Sequence, residues 1–333
     1  MTTPLLERTS RAAAATLEVM VVATRREATD ITSFELVAAD GSALPDWTPG
    51  AHVDVHLPSG IVRQYSLCGD PGTNSSYTIA VLEQFAGRGG SLEAHRALRA
   101  GSRITIGTPR DNFPLVEAPR YVFVAGGIGI TPILAMIKKV QSTGGVWELV
   151  YGARSDDHFA FAGELRELGG GQVRFVSAET DGHPDLDTLV EESAGAAVYC
   201  CGPGPLMDAL AAKMDAAGRS PDLFLERFTQ APAAPVETDT GESGTGSFTV
   251  FLARSGTEVE VDPGQSVLDA IRSAGVEHPS SCEMGFCGTC EAQVLEGEVD
   301  HRDDLLTEAE RAANDCMMTC VSRACGKKLV LDL

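Results

Sequence analysis

Short runs in which apolar and polar residues alternate dominate the first third of the chain. Residues 17–24, 52–57, 61–67, 77–83 and 103–106 each read as a β-strand, and stretches rich in Gly, Pro, Asp and Ser separate them. Several short strands at such spacing predict an antiparallel barrel or sandwich. A helix is expected at 92–98, before the last of these strands. Near Pro119 the pattern changes. A continuous apolar run at 121–125 predicts a buried strand, a glycine turn follows it, and 132–140 reads as a helix. Strand-like runs recur at 147–151, 173–177 and 197–201, with helical stretches at 163–168, 186–192 and 205–217. This alternation predicts a parallel sheet with crossover helices.

Residues 229–246 are rich in Pro, Gly, Thr and Ala and hold almost no large apolar residue, so they read as a flexible linker. Beyond them the pattern predicts strands at 248–254 and 258–261, a helix at 266–274 and a loop bearing cysteines. A strand at 291–295, a short helix at 307–312 and a closing strand at 328–332 follow. The expectation is a multidomain chain. It comprises a flexible N-terminus (1–15), an antiparallel β-barrel (16–117), an α/β parallel-sheet domain (118–228), the linker (229–246) and an α+β module (247–333). A length of 333 residues agrees with two or three domains at roughly 150 residues each.

Charge narrows the partners. A formal net charge of −21 repels polyphosphate and anionic lipid, so nucleic-acid binding is not expected as the main activity, whereas a basic protein surface would be attracted. No membrane span is visible: the longest uncharged run, 121–137, falls short of the ~18 residues a span needs and is broken by glycines and Pro132. Glu7, Arg8 and Arg11 interrupt any export signal, and nine cysteines without one point to thiolates or a metal site in a reducing, cytoplasmic setting.

Six of those cysteines lie between Cys282 and Cys325. Cys282, Cys287 and Cys290 form C-x4-C-x2-C, the plant-type spacing for a 2Fe-2S cluster held by four thiolates. Gly285 and Gly288 let the backbone pass close to the cluster. A structural zinc site would favour paired C-x2-C halves, and only one half is present. Cys316, Cys320 and Cys325 are candidates for the fourth ligand. Cys320 is preferred because the segment TCVSRA resembles the sequence around the distant ligand of plant-type ferredoxins.

Arg63-Gln64-Tyr65-Ser66 ends a strand-like run and resembles the flavin signature of the ferredoxin–NAD(P)+ reductase superfamily. Arginine can fork onto a phosphate, tyrosine can lie against the isoalloxazine, and serine can meet its edge. Gly87-Arg88-Gly89-Gly90-Ser91 precedes the 92–98 helix, a natural place for an anion. Gly126-Gly127-Ile128-Gly129-Ile130-Thr131-Pro132 follows a buried strand and opens a helix. It is not G-x-G-x-x-G, but it resembles the nucleotide-binding segment of the same superfamily, where the threonine also faces the flavin. Cys201-Gly202-Pro203, with Met207, is similar to that superfamily's segment beside the nicotinamide. Arg154 sits where an adenosine ribose would be read, yet Asp156 and Asp157 follow and would repel a 2′-phosphate, favouring NADH over NADPH.

The order of modules resembles the phthalate dioxygenase reductase family from about Leu17 onward. The likeness implies an FMN-binding barrel, an NAD-binding domain and a β-grasp ferredoxin domain. It adds Ala80, Val81 and Leu82 to the flavin set, and it places Phe228 over the flavin face, where the residues alone equally allow a packed terminal aromatic. Thr131, Cys201 and Phe228 are then the residues nearest the reaction, and Cys282, Cys287, Cys290 and Cys320 the metal ligands. The implied work is passage of electrons from NADH through FMN and the 2Fe-2S cluster to the terminal oxygenase of a Rieske-type system, which would dock through a basic surface. An acidic skin of Glu277, Glu283, Glu291, Glu296, Glu298, Asp300, Asp303 and Asp304 suits that docking. Rival readings are a reductase for a haem-thiolate monooxygenase and a non-enzymatic redox sensor.

Overall fold

A computed structural model of the chain describes residues 15–85, 89–169, 172–228, 246–280, 283, 285, 288–303 and 305–333. The expected flexible N-terminus and linker fall almost wholly outside them, as do Gly87, Arg88, Cys282, Cys287 and Asp304. The chain separates into two compact units, Met1–Cys200 with Arg219–Phe224 and Cys201–Gly218 with Leu225–Leu333.

In the first unit, strands β1 (Thr16–Ala28), β2 (Ile31–Ala38), β3 (Ala51–His56), β4 (Val62–Ser66) and β5 (Tyr77–Leu82) precede helix α1 (Gly90–Ala97). Strands β6 (Arg103–Gly107) and β7 (Arg110–Asp111) follow it. They form an antiparallel sheet in the order β4-β3-β6-β1-β2-β5, with β7 beside β3. A bridge between Leu67 and Ile79 joins the chain leaving β4 to β5 and closes the sheet into a barrel. Val19 and Val21, Phe34 and Leu36, Val53 and Val55, Tyr77 and Ile79, and Ile104 and Ile106 all point inward, every second residue along their strands. That alternation is the pattern visible in the sequence.

The parallel part of the chain begins with β8 (Arg120–Gly126), which leads through a 3₁₀ turn at Gly127–Gly129 into α2 (Ile130–Ser142). Then come β9 (Val146–Ala153), α3 (Ala162–Gly169), β10 (Val173–Ser177), α4 (Leu186–Glu192), β11 (Ala197–Cys201), α5 (Gly204–Ala216) and β12 (Leu223–Glu226). The sheet order is β10-β9-β8-β11-β12, with β8, β9 and β10 parallel. The order reverses at β8, so the crevice favoured for ligands opens at that strand's carboxyl end, where the glycine turn sits. β12 went unforeseen: Leu223–Glu226 is only half-buried along its length and lacks a distinct apolar stripe.

The second unit carries the α+β module. Its elements are β13 (Phe248–Leu252), β14 (Thr257–Val261), α6 (Val267–Ser273), β15 (Glu291–Glu296), β16 (Val299–Asp300), α7 (Glu308–Ala313), β17 (Cys316–Met318), β18 (Arg323–Ala324) and β19 (Lys328–Leu331). The main sheet runs β14-β13-β19-β15-β17, with its first and last strands, β13 and β19, adjacent and parallel in the β-grasp manner. Ser266 caps α6 through the amide of Asp269, and Thr307 with Glu310 forms a capping box on α7, which explains why both helices begin where they do.

Candidate functional site

The barrel brings the two flavin segments together. Arg63, Gln64, Tyr65 and Ser66 lie on β4, opposite Val55, Asp54, Val53 and His52 of β3. The Arg63 side chain reaches the first turn of α1: a Cβ built on Gly90 would stand 2.5 Å from Arg63 Nε. Gly89 precedes the helix with a φ of 76°, in the left-handed region open to glycine. The Arg63 guanidinium, whose NH1 donates to the Val62 carbonyl at 2.7 Å, together with the helix start and the close approach at Gly90, makes a cradle whose chemistry fits a phosphate monoester. Ser91 directs its hydroxyl to the backbone of Gln84. Its Oγ accepts from the Gln84 amide at 3.1 Å and donates to the Gln84 carbonyl at 3.3 Å, lacing the loop shut.

Tyr65 packs partly against the barrel core, and burial pushes its hydroxyl up to about 12, so it stays neutral. Gln64 Nε2 is buried without a hydrogen-bond partner, a donor that a bound group could satisfy. Of the β5 residues, Val81 turns its side chain into the core and its carbonyl meets His95 Nε2 at 3.0 Å. Ala80 is buried and Leu82 half-buried.

At the carboxyl end of β8, Gly127 has a φ of 53°, and its carbonyl accepts from the Tyr151 hydroxyl at 3.1 Å. Thr131, buried in the first turn of α2, donates its hydroxyl to the Ile128 carbonyl at 3.0 Å. The proton is committed, so Thr131 Oγ1 presents lone pairs to a neighbour. Pro132 sits within the first turn of α2, where its missing amide is harmless. Arg154 follows β9 and is exposed, as are Asp156 and Asp157 in the 3₁₀ turn beside it.

In the second unit, Cys201 is buried at the end of β11, Gly202 is half-buried, and Met207 is buried in α5. Arg227 NH2 pairs with Asp208 Oδ1 at 2.5 Å, tying the segment after β12 to α5, and half-buried Phe228 follows.

The cysteine loop is placed by residues on either side of Cys320. Thr319 donates both its amide (3.1 Å) and its hydroxyl (3.0 Å) to the Cys290 carbonyl. Val321 packs against Gly285, where a Cβ would fall 2.7 Å from Val321 Cγ2. Gly285 lies between Cys282 and Cys287 in the sequence, so both neighbours of buried Cys320 touch described residues of the cysteine segment, Cys290 and Gly285. Cys316 is paired with Gln293 deeper in the sheet, three residues beyond Cys290. Cys325 is half-buried after β18, and burial raises its thiol above the usual range. His278 Nε2 also meets the Cys290 carbonyl, at 3.2 Å, and burial holds the ring below the ordinary histidine range. His278 and Thr319 lie 12 and 29 residues from Cys290, and no local motif announced either. Among the described residues no group of three or more metal-ligating side chains converges; two of the four proposed thiolates, Cys282 and Cys287, lie outside them.

The acidic skin needs one correction. Glu277, Glu291, Glu296 and Glu298 are exposed, but Asp303 is buried, accepting from the amides of Leu305 (3.2 Å) and Leu306 (2.8 Å). Its charge is spent inside the fold. Glu283 and Asp300 are ion-paired with Arg272 and Arg302, each at no more than 2.8 Å. Among the described residues no helix is long and apolar enough to cross a membrane.

Comparison with known proteins finds two matching domains and relatives over nearly the whole chain. Residues 250–325 match the 2Fe-2S iron-sulfur cluster binding domain, and residues 123–212 match the oxidoreductase NAD-binding domain. A vanillate O-demethylase oxidoreductase of Pseudomonas sp. (strain HR199 / DSM 7063) is 43% identical over 95% of this chain and 100% of its own length. The solved structure of phthalate dioxygenase reductase, a modular protein for electron transfer from pyridine nucleotides to [2Fe-2S], superposes with a TM-score of 0.74. It is 37% identical over 96% of this chain and 98% of its own. An intact type IV self-sufficient cytochrome P450 monooxygenase is similar at a TM-score of 0.80 and 41% identity, with 96% of this chain spanning 41% of that one.

Proposed function

The chain belongs to the phthalate dioxygenase reductase family, and from that premise we propose that it is the NADH-dependent reductase component of a two-component Rieske-type oxygenase or demethylase. It is an oxidoreductase with NAD-binding and 2Fe-2S domains. The observation that supports the reading is that both neighbours of buried Cys320 touch the cysteine segment, Thr319 at the Cys290 carbonyl and Val321 at Gly285.

Arg63, Gly89 and Gly90 hold the phosphate of FMN, and Tyr65, Ser66 and the backbone of Ala80–Leu82 border its ring. FMN supplies the conversion between a hydride's electron pair and the single electrons that an iron–sulfur centre takes. Gly126, Gly127, Gly129 and Pro132 receive the nucleotide pyrophosphate, with Thr131 between nucleotide and flavin. Exposed Asp156 and Asp157 beside Arg154 disfavour a 2′-phosphate, so NADH is the donor. Cys201, Gly202, Met207 and Phe228 keep the roles carried over from the family. Cys282, Cys287, Cys290 and Cys320 ligate the cluster. No side chain needs to act as general acid or base; the chain positions its cofactors and excludes water.

Exposed Glu277, Glu291, Glu296 and Glu298 suit docking on a basic oxygenase surface in the cytoplasm, with salt-sensitive association. A haem monooxygenase remains a second reading of the acceptor, because a chain of that kind carries a region similar to nearly all of this protein. Reconstitution with Rieske-type oxygenases and with haem-thiolate monooxygenases, scoring product formed per NADH consumed, tests both. Coupled turnover with the first and not the second is the expected result, and the reverse would replace this reading. Flavin released by heat should run as FMN; FAD would overturn the flavin assignment.

A further inference from the structure

Helix α2 links the two half-sites of the first unit. Its residues Thr131, Ala135 and Lys138 fall at i, i+4 and i+7 and share one face. Thr131 stands at the reactive end. Ala135 is part of the barrel's apolar core. Lys138, about 10 Å further along the axis at ~1.5 Å per residue, reaches the barrel by a polar contact: its Nζ donates to the Cys68 carbonyl at 3.1 Å and pairs with Glu164 Oε1 of α3 at 2.7 Å. Cys68 lies two residues past Ser66, the last residue of the flavin strand β4. Burial pushes the Cys68 thiol up to about 12, so Lys138 meets a carbonyl and a carboxylate there, not a thiolate.

The contact between barrel and helix at Lys138 itself is polar. A polar cavity of about 430 Å³ opens there, lined by Arg25, Glu27, Asp70, Lys138, Phe161 and Glu164 among others. A further tie between the barrel and the α/β part is the Thr29 amide to the Asp157 carbonyl at 2.8 Å. Helix α2 is packed on β8 and β9, so loss of the Lys138 contact loosens the barrel against the helix and thereby against its Thr131 end.

We infer that Lys138 is a positioning residue for hydride transfer: by anchoring the far end of α2 to the segment that leaves the strand carrying Arg63–Ser66, it sets the approach of Thr131 and the nucleotide turn to the flavin site. The inference rests on the flavin reading above. Because a misplacement of about 1 Å can cost on the order of a hundredfold in a transfer step, a lost anchor is visible in the rate even when both cofactors stay bound.

The test is anaerobic stopped-flow reduction of the flavin by NADH in the full-length holoprotein. Lys138→Met should lower the limiting rate constant by roughly tenfold or more, with FMN content and the low-temperature EPR spectrum of the cluster as in the wild type. Lys138→Arg, which keeps a cationic donor, should recover most of that loss. A Lys138→Met protein with full FMN content that reduces within about twofold of the wild-type rate overturns the inference. If Lys138→Met does not fold, Glu164→Gln decides: slowing by about threefold, the size expected for half of a partly exposed ion pair, supports the anchor, and an unchanged rate removes it. Wild-type protein that holds no flavin, or whose flavin NADH does not reduce, would instead defeat the parent reading.

Discussion

Gly90 in the barrel and Gly285 in the cysteine loop look alike at first, since a methyl group at either would collide. At Gly90 the obstacles all belong to one flexible side chain, Arg63, with Nε at 2.5 Å and Cγ at 2.9 Å. At Gly285 the obstacles are the branched Val321 Cγ2 at 2.7 Å and the Asp303 Cα at 3.1 Å, and the φ of 83° strains any other residue whatever the space. Arg63 can swing away, so a larger residue at 90 costs phosphate affinity and little else. Val321 and Asp303 are set in the fold, so a larger residue at 285 displaces the neighbour of Cys320. The flavin cradle is graded, held by charge and close approach. The iron site is closer to all-or-none, because each of four thiolates is needed.

The sharpest break between the two regions is ligand removal. Cys320→Ser should abolish the visible absorbance and the EPR signal of the cluster while FMN content stays full, and Cys316→Ser should leave both; the opposite pair of spectra would reassign the fourth ligand. Next in size is Gly285→Ala, expected to destabilise the loop by on the order of 1–3 kcal/mol and to lower iron content as purified, read by iron and sulfide assay. In the barrel, Arg63→Ala removes a charge-assisted contact worth roughly 1.5–3 kcal/mol. It should therefore weaken FMN binding by about ten- to a hundredfold, with Gly90→Ala showing a smaller loss, both measured by fluorescence titration of deflavinated protein. If Gly90→Ala proved the more damaging of the two, the cradle would be as rigid as the cysteine loop and the contrast would fail. The smallest effect belongs to exposed charge: Asp156→Asn with Asp157→Asn should raise kcat/KM for NADPH relative to NADH by only a few-fold.

Periodicity made much of this legible. Strands β10 and β11 and helix α4 occupy the residues that the apolar pattern assigns to them; β11 buries its whole run and α4 one clear face, while β10 is an edge strand that is mostly half-buried. β17 escaped because Cys316–Met318 contains no β-branched or aromatic residue; it is a strand because it pairs with β15. The site divides in the same way. Arg63, the glycine turns and the C-x4-C-x2-C spacing are local signals, since each function needs those residue types close together. Lys138 left only a faint trace, its helical spacing from Thr131.

Composition and spacing alone determined the number and kind of modules, the glycines that need an unusual backbone, and the chemistry of the cysteine loop, because these depend on residues within a turn or a strand of one another. Tertiary structure alone decided that Arg63 meets Gly90, that Thr319 meets the Cys290 carbonyl and Val321 meets Gly285, that Asp303 lies inside and that Lys138 meets the Cys68 carbonyl. Those contacts join residues far apart in the chain, and a side chain's charge or polarity does not say which distant group will satisfy it; closure of the barrel and register of the sheet do.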